Sequence, residues 1–151
     1  MPEPVWNARD QASRQAFMSL LAPLVMASRC RDFDDPASAR VLLSTWMRAL
    51  SDVGPELLAE GIDRLLPSVT WMPKPGEVRA ACCDVVDARR RKALQQAAAL
   101  RDGCDCSEGW RYRDDGRVER CQCWLRTREL VEAAGQPLTR PALPAASEEV
   151  A

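Results

Sequence analysis

The chain has 151 residues, and its 21 basic and 22 acidic residues leave a formal charge of −1. This length fits one modest domain with appendages, and the neutral balance excludes a protein that coats nucleic acid by bulk charge. The opening stretch MPEPVWNARDQASRQAF lacks the apolar core of a signal peptide, and no apolar run is long enough to span a bilayer. We therefore expect a cytoplasmic protein without a membrane partner, in a reducing compartment.

The first hundred residues predict a helical bundle. Apolar residues recur with helical spacing from Phe17 to Val25, and Pro23 is expected to kink or split this helix. Asp35 and Pro36 provide a cap and a first helical position for a second helix. The buried face of that helix is expected at Val41, Leu42, Thr45, Trp46, Ala49 and Leu50. A third helix begins after Gly54-Pro55.

The stretch SVTWMPKPGEV, residues 68–78, predicts an extended segment that leads into a long helix over about 76–101. The second half of that helix has little to bury, so we expect it to project from the bundle. An aromatic residue beside prolines suits a protein contact, and packing between helices is the alternative. The candidate partner-binding residues are Trp71, Met72, Pro73 and Glu77.

Four of the seven cysteines lie in CDCSEGWRYRDDGRVERCQCW, residues 104–124, in a chain without histidine. They form two Cys-x-Cys pairs, for which a disulfide-linked loop, a redox pair and a metal site are the competing interpretations. An odd number of cysteines and a reducing compartment disfavour disulfides. A redox pair would favour Cys-x-x-Cys beside a βαβ unit, which is not visible. The other three cysteines, Cys30, Cys82 and Cys83, are expected in the core.

A metal site is the interpretation that the pairs favour. The DDG turn between WRYR and RVERC predicts a β-hairpin that brings the two pairs together. Four thiolates close the coordination of Zn²⁺, which predicts a structural rather than a catalytic ion. Each pair has one intervening residue instead of the usual two, so both turns must be tight. The predicted zinc ligands are Cys104, Cys106, Cys121 and Cys123.

Catalytic patterns are not found in the sequence. The lack of histidine excludes Ser-His-Asp and Cys-His sets, and neither a GxxxxGK[ST] loop nor a GxGxxG motif is present. We therefore predict a protein that is not an enzyme.

Basic residues on the long helix and on the hairpin are candidates for weak nucleic-acid contact, with a solvated helix face as the alternative. These residues are Arg89, Arg90, Arg91, Lys92, Arg111 and Arg113. Interleaved acidic residues argue against sequence-specific reading of DNA. Trp110, Tyr112 and Trp124 are candidate stacking groups for single strands.

The predicted fold class is mostly α, a small helical bundle with a long projecting helix. A small zinc-stabilised β-hairpin and a disordered C-terminal tail follow. The predicted domains are a helical domain over 1–101, a four-cysteine zinc hairpin with a short helix over 102–134, and a disordered tail over 135–151.

Helices that carry STWMRALSDVGPELLAEGIDRLL precede WMPKPGEVRAA and a long helix. This order resembles the N-terminal domain of phage-encoded replicative helicase loaders, the loader-and-inhibitor group of tailed phages, over about residues 35–90. The matching residues are Trp46, Leu50, Leu57, Ile62, Leu65, Trp71, Met72, Pro73, Pro75, Gly76, Glu77 and Val78. A Cys-rich hairpin is also similar to segments of phage replication proteins, which generally carry Cys-x-x-Cys.

The resemblance implies a small helical adaptor that binds a hexameric replicative helicase or another replication protein, in the host bacterial cytoplasm. In that family a flexible C-terminal part contacts the helicase, and the helical domain contacts an origin-bound protein. We expect the same of this chain, with residues 136–151 and the exposed end of the long helix in the helicase contact. Two alternatives stay open, a zinc-containing nucleic-acid-binding or transcription-regulating module and an inhibitor of another host machine.

Overall fold

The structure, a computed structural model, describes residues 5–28 and 35–135. Within these ranges it is mostly helical with one small antiparallel hairpin, which confirms the predicted fold class. The elements are α1 (Gln11–Ser28), α2 (Pro36–Ala49), α3 (Pro55–Leu65), α4 (Pro75–Asp102), β1 (Trp110–Tyr112), β2 (Val118–Arg120) and α5 (Gln122–Ala133). The predicted tail over 135–151 is described only at Gly135, and its other residues and the predicted core residue Cys30 lie outside the described residues.

The described chain divides into two compact units. The first unit ends at Val85 and the second begins at Val86, so the division falls within α4. The boundary that the sequence predicts lies later, after residue 101. In the part of the chain that the structure describes, every helix is too short or too polar to cross a membrane.

Helix α1 begins at Gln11. The side chain of Asp10 accepts a hydrogen bond from the backbone N–H of Ser13 at 2.7 Å, which makes Asp10 the cap. Asn7 instead accepts from the N–H of Arg9 at 3.0 Å. The helix continues through Pro23 over 18 residues, so Pro23 does not split it.

Helix α2 starts where the sequence places it. The Asp35 side chain accepts a hydrogen bond from the Ser38 N–H at 2.8 Å, and Pro36 occupies the first turn. This hydrogen bond to Ser38 lowers the pKa of Asp35 below its usual value. The predicted buried face is wrong by a fraction of a turn, because Val41 is 67% exposed. The observed buried positions are Leu43, Trp46, Met47 and Leu50.

The core of the first unit is formed by the inner faces of its helices, with α1 in contact with both α2 and α3. Trp6 joins it from outside the helices, because its indole N–H donates to the Val53 carbonyl at 2.7 Å and its ring meets Phe17 edge-on. A fully buried residue of this kind contributes roughly 1.5–3 kcal/mol through apolar burial. The most deeply buried side chains are Phe17, Leu21, Leu24, Met47, Leu50, Val53, Leu58, Ile62, Val78 and Cys82.

A close approach between α3 and α4 fixes their packing at Gly61 and Cys82. A Cβ at Gly61 would lie 2.5 Å from the Cys82 Sγ, so the glycine is needed for this contact. Burial raises the pKa of the Cys82 thiol to about 11, which keeps it a neutral core group as predicted. Arg79 on α4 pairs with Asp52 through two contacts of 2.6 Å, and this bonding lowers the pKa of Asp52.

The second unit buries mostly small side chains and thiols. Ala93 and Ala97 on α4 are buried, so the second half of α4, which the sequence predicts to have little to bury, still buries small side chains within this unit. Within the residues the structure describes, the other buried apolar residues of this unit are Val86, Cys121, Cys123 and Ala134.

Candidate metal centre and partner surface

The hairpin that joins the two cysteine pairs is built by its turn. Arg113 and Arg117 bracket a three-residue loop, with the Arg113 N–H bonded to the Arg117 carbonyl at 2.9 Å. Gly116 has φ of 79°, the left-handed conformation that this loop type requires. The Asp115 side chain accepts from the Arg117 N–H at 3.0 Å. The DDG sequence thus performs the role predicted for it.

The first cysteine pair, Cys104 and Cys106, lies between the end of α4 and a second tight turn. Ser107 and Trp110 exchange two backbone hydrogen bonds of 2.8 and 3.0 Å around Glu108 and Gly109. Both central residues have positive φ, 51° and 85°, the signature of a type I′ turn. This turn reverses the chain directly after Cys106 and starts β1.

The second pair lies at the start of α5. Cys121 is the residue before the first helical position, and its carbonyl accepts from the N–H groups of Trp124 and Leu125. Cys123 is therefore in the first turn of the helix, and Cys121 lies directly before it, where free N–H groups and the helix dipole favour negative sulfur. A helix start thus explains how one intervening residue suffices for this pair.

The four sulfur atoms lie within 4.8 Å of one another. Cys104 and Cys121 are 3.2 Å apart at their Sγ atoms, and Cys106 and Cys123 are 3.3 Å apart. These separations exceed the roughly 2.05 Å of a disulfide bond. A tetrahedral Zn²⁺ with bonds of about 2.3 Å needs sulfur separations of about 3.8 Å. The cluster therefore has the donor set and the size of a zinc site, and small movements bring it to ideal geometry.

The thiols perturb each other's ionisation. A hydrogen bond from the Cys123 backbone N–H lowers the pKa of Cys121 to about 7. The neighbouring Cys106 side chain raises the pKa of Cys123 to about 12, and Cys121 raises the pKa of Cys104. Sulfur atoms this close do not all ionise without a cation between them. Four thiolates together are compatible with a divalent cation at the centre.

Beside the cysteines, the guanidinium of Arg120 lies between two indole rings. Its central carbon is 3.7 Å from the Trp110 ring centroid and 4.2 Å from that of Trp124. Gly109 lies against the same Trp124, since a Cβ there would approach Trp124 Cδ1 to 2.5 Å. Sequence reasoning did not select Arg120 or Gly109 as site residues. The DDG turn could have indicated the position of Arg120, because a hairpin loop centred on Asp115 pairs Arg120 with Trp110.

The predicted partner-binding residues lie just before α4 and in its first turn. Trp71 is 83% exposed, and Met72 beside it is half-buried, where its sulfur accepts from the hydroxyl of Ser28 at 3.5 Å. The alternative prediction, packing between helices, does not apply to Trp71 and is compatible only with the half-buried Met72. Glu77 accepts from the Lys74 N–H at 2.5 Å and so caps α4. A groove of about 250 Å³ runs along this segment, lined by Leu65, Ser68, Val69, Thr70, Trp71, Met72, Pro73 and Glu77.

The basic residues are dispersed. Arg89, Arg90, Arg91 and Lys92 follow one another on α4 and therefore point around the helix rather than to one side. Arg113 forms an ion pair with Glu119 at 2.9 Å. Arg111 lies on the opposite hairpin face from Trp110 and Tyr112.

Comparison of the chain with protein-family models, with curated proteins and with solved structures found no significant match in any of the three.

Proposed function

We propose that this chain is a non-enzymatic adaptor of phage DNA replication, which binds a hexameric replicative helicase and loads or inhibits it. The observation that carries the proposal is the exposure of Trp71 within the motif that resembles helicase loaders. Large exposed aromatic side chains are uncommon on free surfaces and are enriched among the residues that dominate binding energy at interfaces. An indole that is 83% exposed is therefore a candidate anchor for a protein partner.

The segment around Trp71 is held before any partner binds. Met72, which follows Trp71, is tied to Ser28 at the end of α1, and Glu77 caps α4 at Lys74. Prolines at 67, 73 and 75 further restrict the backbone. An anchor presented on a restrained backbone loses little conformational entropy on binding, so more of its contact energy appears as affinity.

We also infer that Cys104, Cys106, Cys121 and Cys123 bind one structural Zn²⁺. The support is the donor set, the 4.8 Å limit on the sulfur separations and the helix that starts directly after Cys121. The strands of the hairpin have three residues each, too few to be stable by their own pairing. The ion would supply the stability that this element lacks, and four thiolates leave no open position for catalysis.

The helicase contact is tested by gel filtration of purified protein with the phage or host hexameric helicase at micromolar concentration. The wild-type protein is expected to elute with the hexamer and to suppress its ATPase stoichiometrically. We assign Trp71 to the helicase contact beside residues 136–151, so Trp71→Ala is expected to weaken the complex by roughly 30-fold or more, the loss typical of an interface anchor. A contact of Trp71 with an origin-bound protein instead, as the resemblance implies for the helical domain, would leave the helicase complex unchanged.

Met26→Ala is the matched control, because Met26 is 81% exposed in the same unit but lies outside the loader-like motif. Equal binding by the Trp71 and Met26 variants would show that the Trp71 surface does not contact the helicase. Failure of the wild-type protein to bind either helicase would refute the adaptor. Recovery of a different host machine in a pull-down would then favour the inhibitor alternative.

A further inference from the structure

The register of the hairpin sorts its side chains onto two faces. Trp110 pairs with Arg120, and Tyr112 pairs with Val118, so these four residues share one face. We call it the aromatic face. Tyr112 is 72% exposed, Val118 50% and Trp110 37%.

Charge is distributed unequally between the two faces. On the aromatic face, Arg120 is the one charged residue that the strands contribute. Glu119 lies on the other face with Arg111, and its carboxylate is neutralised by Arg113. Asp115 in the turn is held by its own ion pair with Arg117 at 3.6 Å. The aromatic face therefore combines exposed rings with one positive charge.

Arg120 is oriented before any ligand arrives. Stacking between Trp110 and Trp124 restrains its guanidinium. Among the described residues, no hydrogen bond or ion pair occupies its N–H donors. A planar cation with free donors, restrained beside an exposed tyrosine, matches a ligand that offers both a flat ring and an anionic oxygen.

We propose that the aromatic face of the hairpin binds single-stranded DNA. A base stacks on Tyr112 beside Trp110, and Arg120 donates to the adjacent phosphate. Duplex DNA does not meet these requirements. Its bases are already stacked on one another, and the three-residue strands are too short to contact more than a small part of its backbone. The choice of DNA over RNA rests on the proposed role in replication. The proposal that the aromatic face binds a single strand rests on the hairpin contacts alone.

The contact is expected to be short and weak. Residues 104–124 contain four arginines and five acidic residues, so the hairpin as a whole does not attract a polyanion. Affinity then comes from stacking and from one local phosphate contact. The binding constant should fall with salt at a slope of about −0.7 on logarithmic axes, the value for a single phosphate on a single strand.

The test is fluorescence anisotropy of labelled oligo-dT titrated with the full chain in its zinc-loaded form. Tyr112→Leu removes the ring but keeps an apolar partner for Val118, and it is expected to weaken binding at least about fivefold. Arg120→Gln is expected to weaken binding and flatten the salt dependence. Arg111→Gln, on the opposite face, is the matched control and should bind as the wild type does. Zinc content measured for each variant separates loss of the face from loss of the hairpin.

Equal affinity of the Tyr112 and Arg111 variants would overturn the proposal, as would tighter binding of duplex DNA or of oligo-U than of oligo-dT. Absence of any oligo-dT binding would overturn it too. The helicase complex is measured separately without DNA, so each of the two proposals fails or stands alone. Tyr112→Leu is expected to leave the helicase complex intact.

Discussion

Cys121 shows how one residue's place in the backbone sets the chemistry of its side chain. It immediately precedes α5, so its sulfur receives the N–H of Cys123 and its pKa falls to about 7. The next candidate ligand, Cys123, follows after a single residue because the first helical turn carries both sulfur atoms to the same region. A Cys-x-Cys spacing is therefore sufficient here where isolated turns usually need two intervening residues.

Gly109 is expected to be indispensable to the hairpin. Gly109→Ala places a Cβ 2.5 Å from Trp124 Cδ1 at a backbone φ of 85°, so both a clash and backbone strain follow. Gly116→Ala is the matched control, because its φ is 79° but no atom lies within 4 Å of the new Cβ. Strain alone costs about 1–2 kcal/mol, and the clash at residue 109 adds to it.

The measurement for this pair is competition with a chromophoric zinc chelator, which reports the stability of the folded site. The Gly109 variant should lose zinc to the chelator at a lower concentration than the Gly116 variant does. Indistinguishable zinc retention would mean that the Gly109–Trp124 contact does not support the cluster.

At the scale of elements, the starts of helices were predictable and their buried faces were less so. Asp35 and Pro36 define the start of α2 through bonds within four residues, which the sequence displays directly. Whether Val41 or Leu43 points inward depends on contact with α1, a separate helix, and not on residues within α2. The observed face at 43, 46, 47 and 50 has the same helical spacing as the predicted one, rotated around the helix.

Leu58→Ala on α3 is expected to lower the free energy of unfolding by about 2–5 kcal/mol, because Leu58 is fully buried and its truncation leaves a cavity. Val41→Ala on α2 is the control and should change it by less than about 0.5 kcal/mol, since Val41 is largely exposed. Urea denaturation followed by Trp fluorescence measures both. A large loss of unfolding free energy from Val41→Ala would show that the buried face of α2 is the one predicted from the sequence. No loss from Leu58→Ala would show that Leu58 is not part of the core.

The functional residues were predicted unevenly for a related reason. The four cysteines could be found because metal ligands must be specific residue types at short spacing. The exposure of Trp71 could not be predicted, because the same sequence pattern suits a buried or an exposed indole. The place of Arg120 between Trp110 and Trp124 depends on strand register and on α5 together, so no single motif carries it.

At the scale of the whole molecule, two units with different sources of stability share one chain. The first has an apolar core of large side chains, while the second buries mainly alanine and cysteine. Zinc removal should therefore affect them differently.

Purified protein prepared without chelator is expected to contain about one zinc per chain by elemental analysis, the stoichiometry of a single four-thiolate site. Cys104→Ser should lower the zinc content and loosen the hairpin while far-UV circular dichroism retains most of its helical signal. Cys83→Ala, at a buried thiol outside the cluster, is the control and should keep the full zinc content. The zinc interpretation would be wrong if the wild-type protein contained no metal and mass spectrometry found Cys104 in a disulfide. A disulfide-linked hairpin would then take its place.

The four candidate metal ligands lie close together along the chain, which affects how an ion would be bound and released. All four sulfur atoms come from residues 104–123, so a bound ion would close only a short loop, which the turn at Gly116 already brings together. The entropic cost of closing such a loop is small and grows slowly with length. We therefore expect loss and rebinding of a zinc ion to be reversible without unfolding of the first unit, because all four candidate ligands lie in one short stretch of chain.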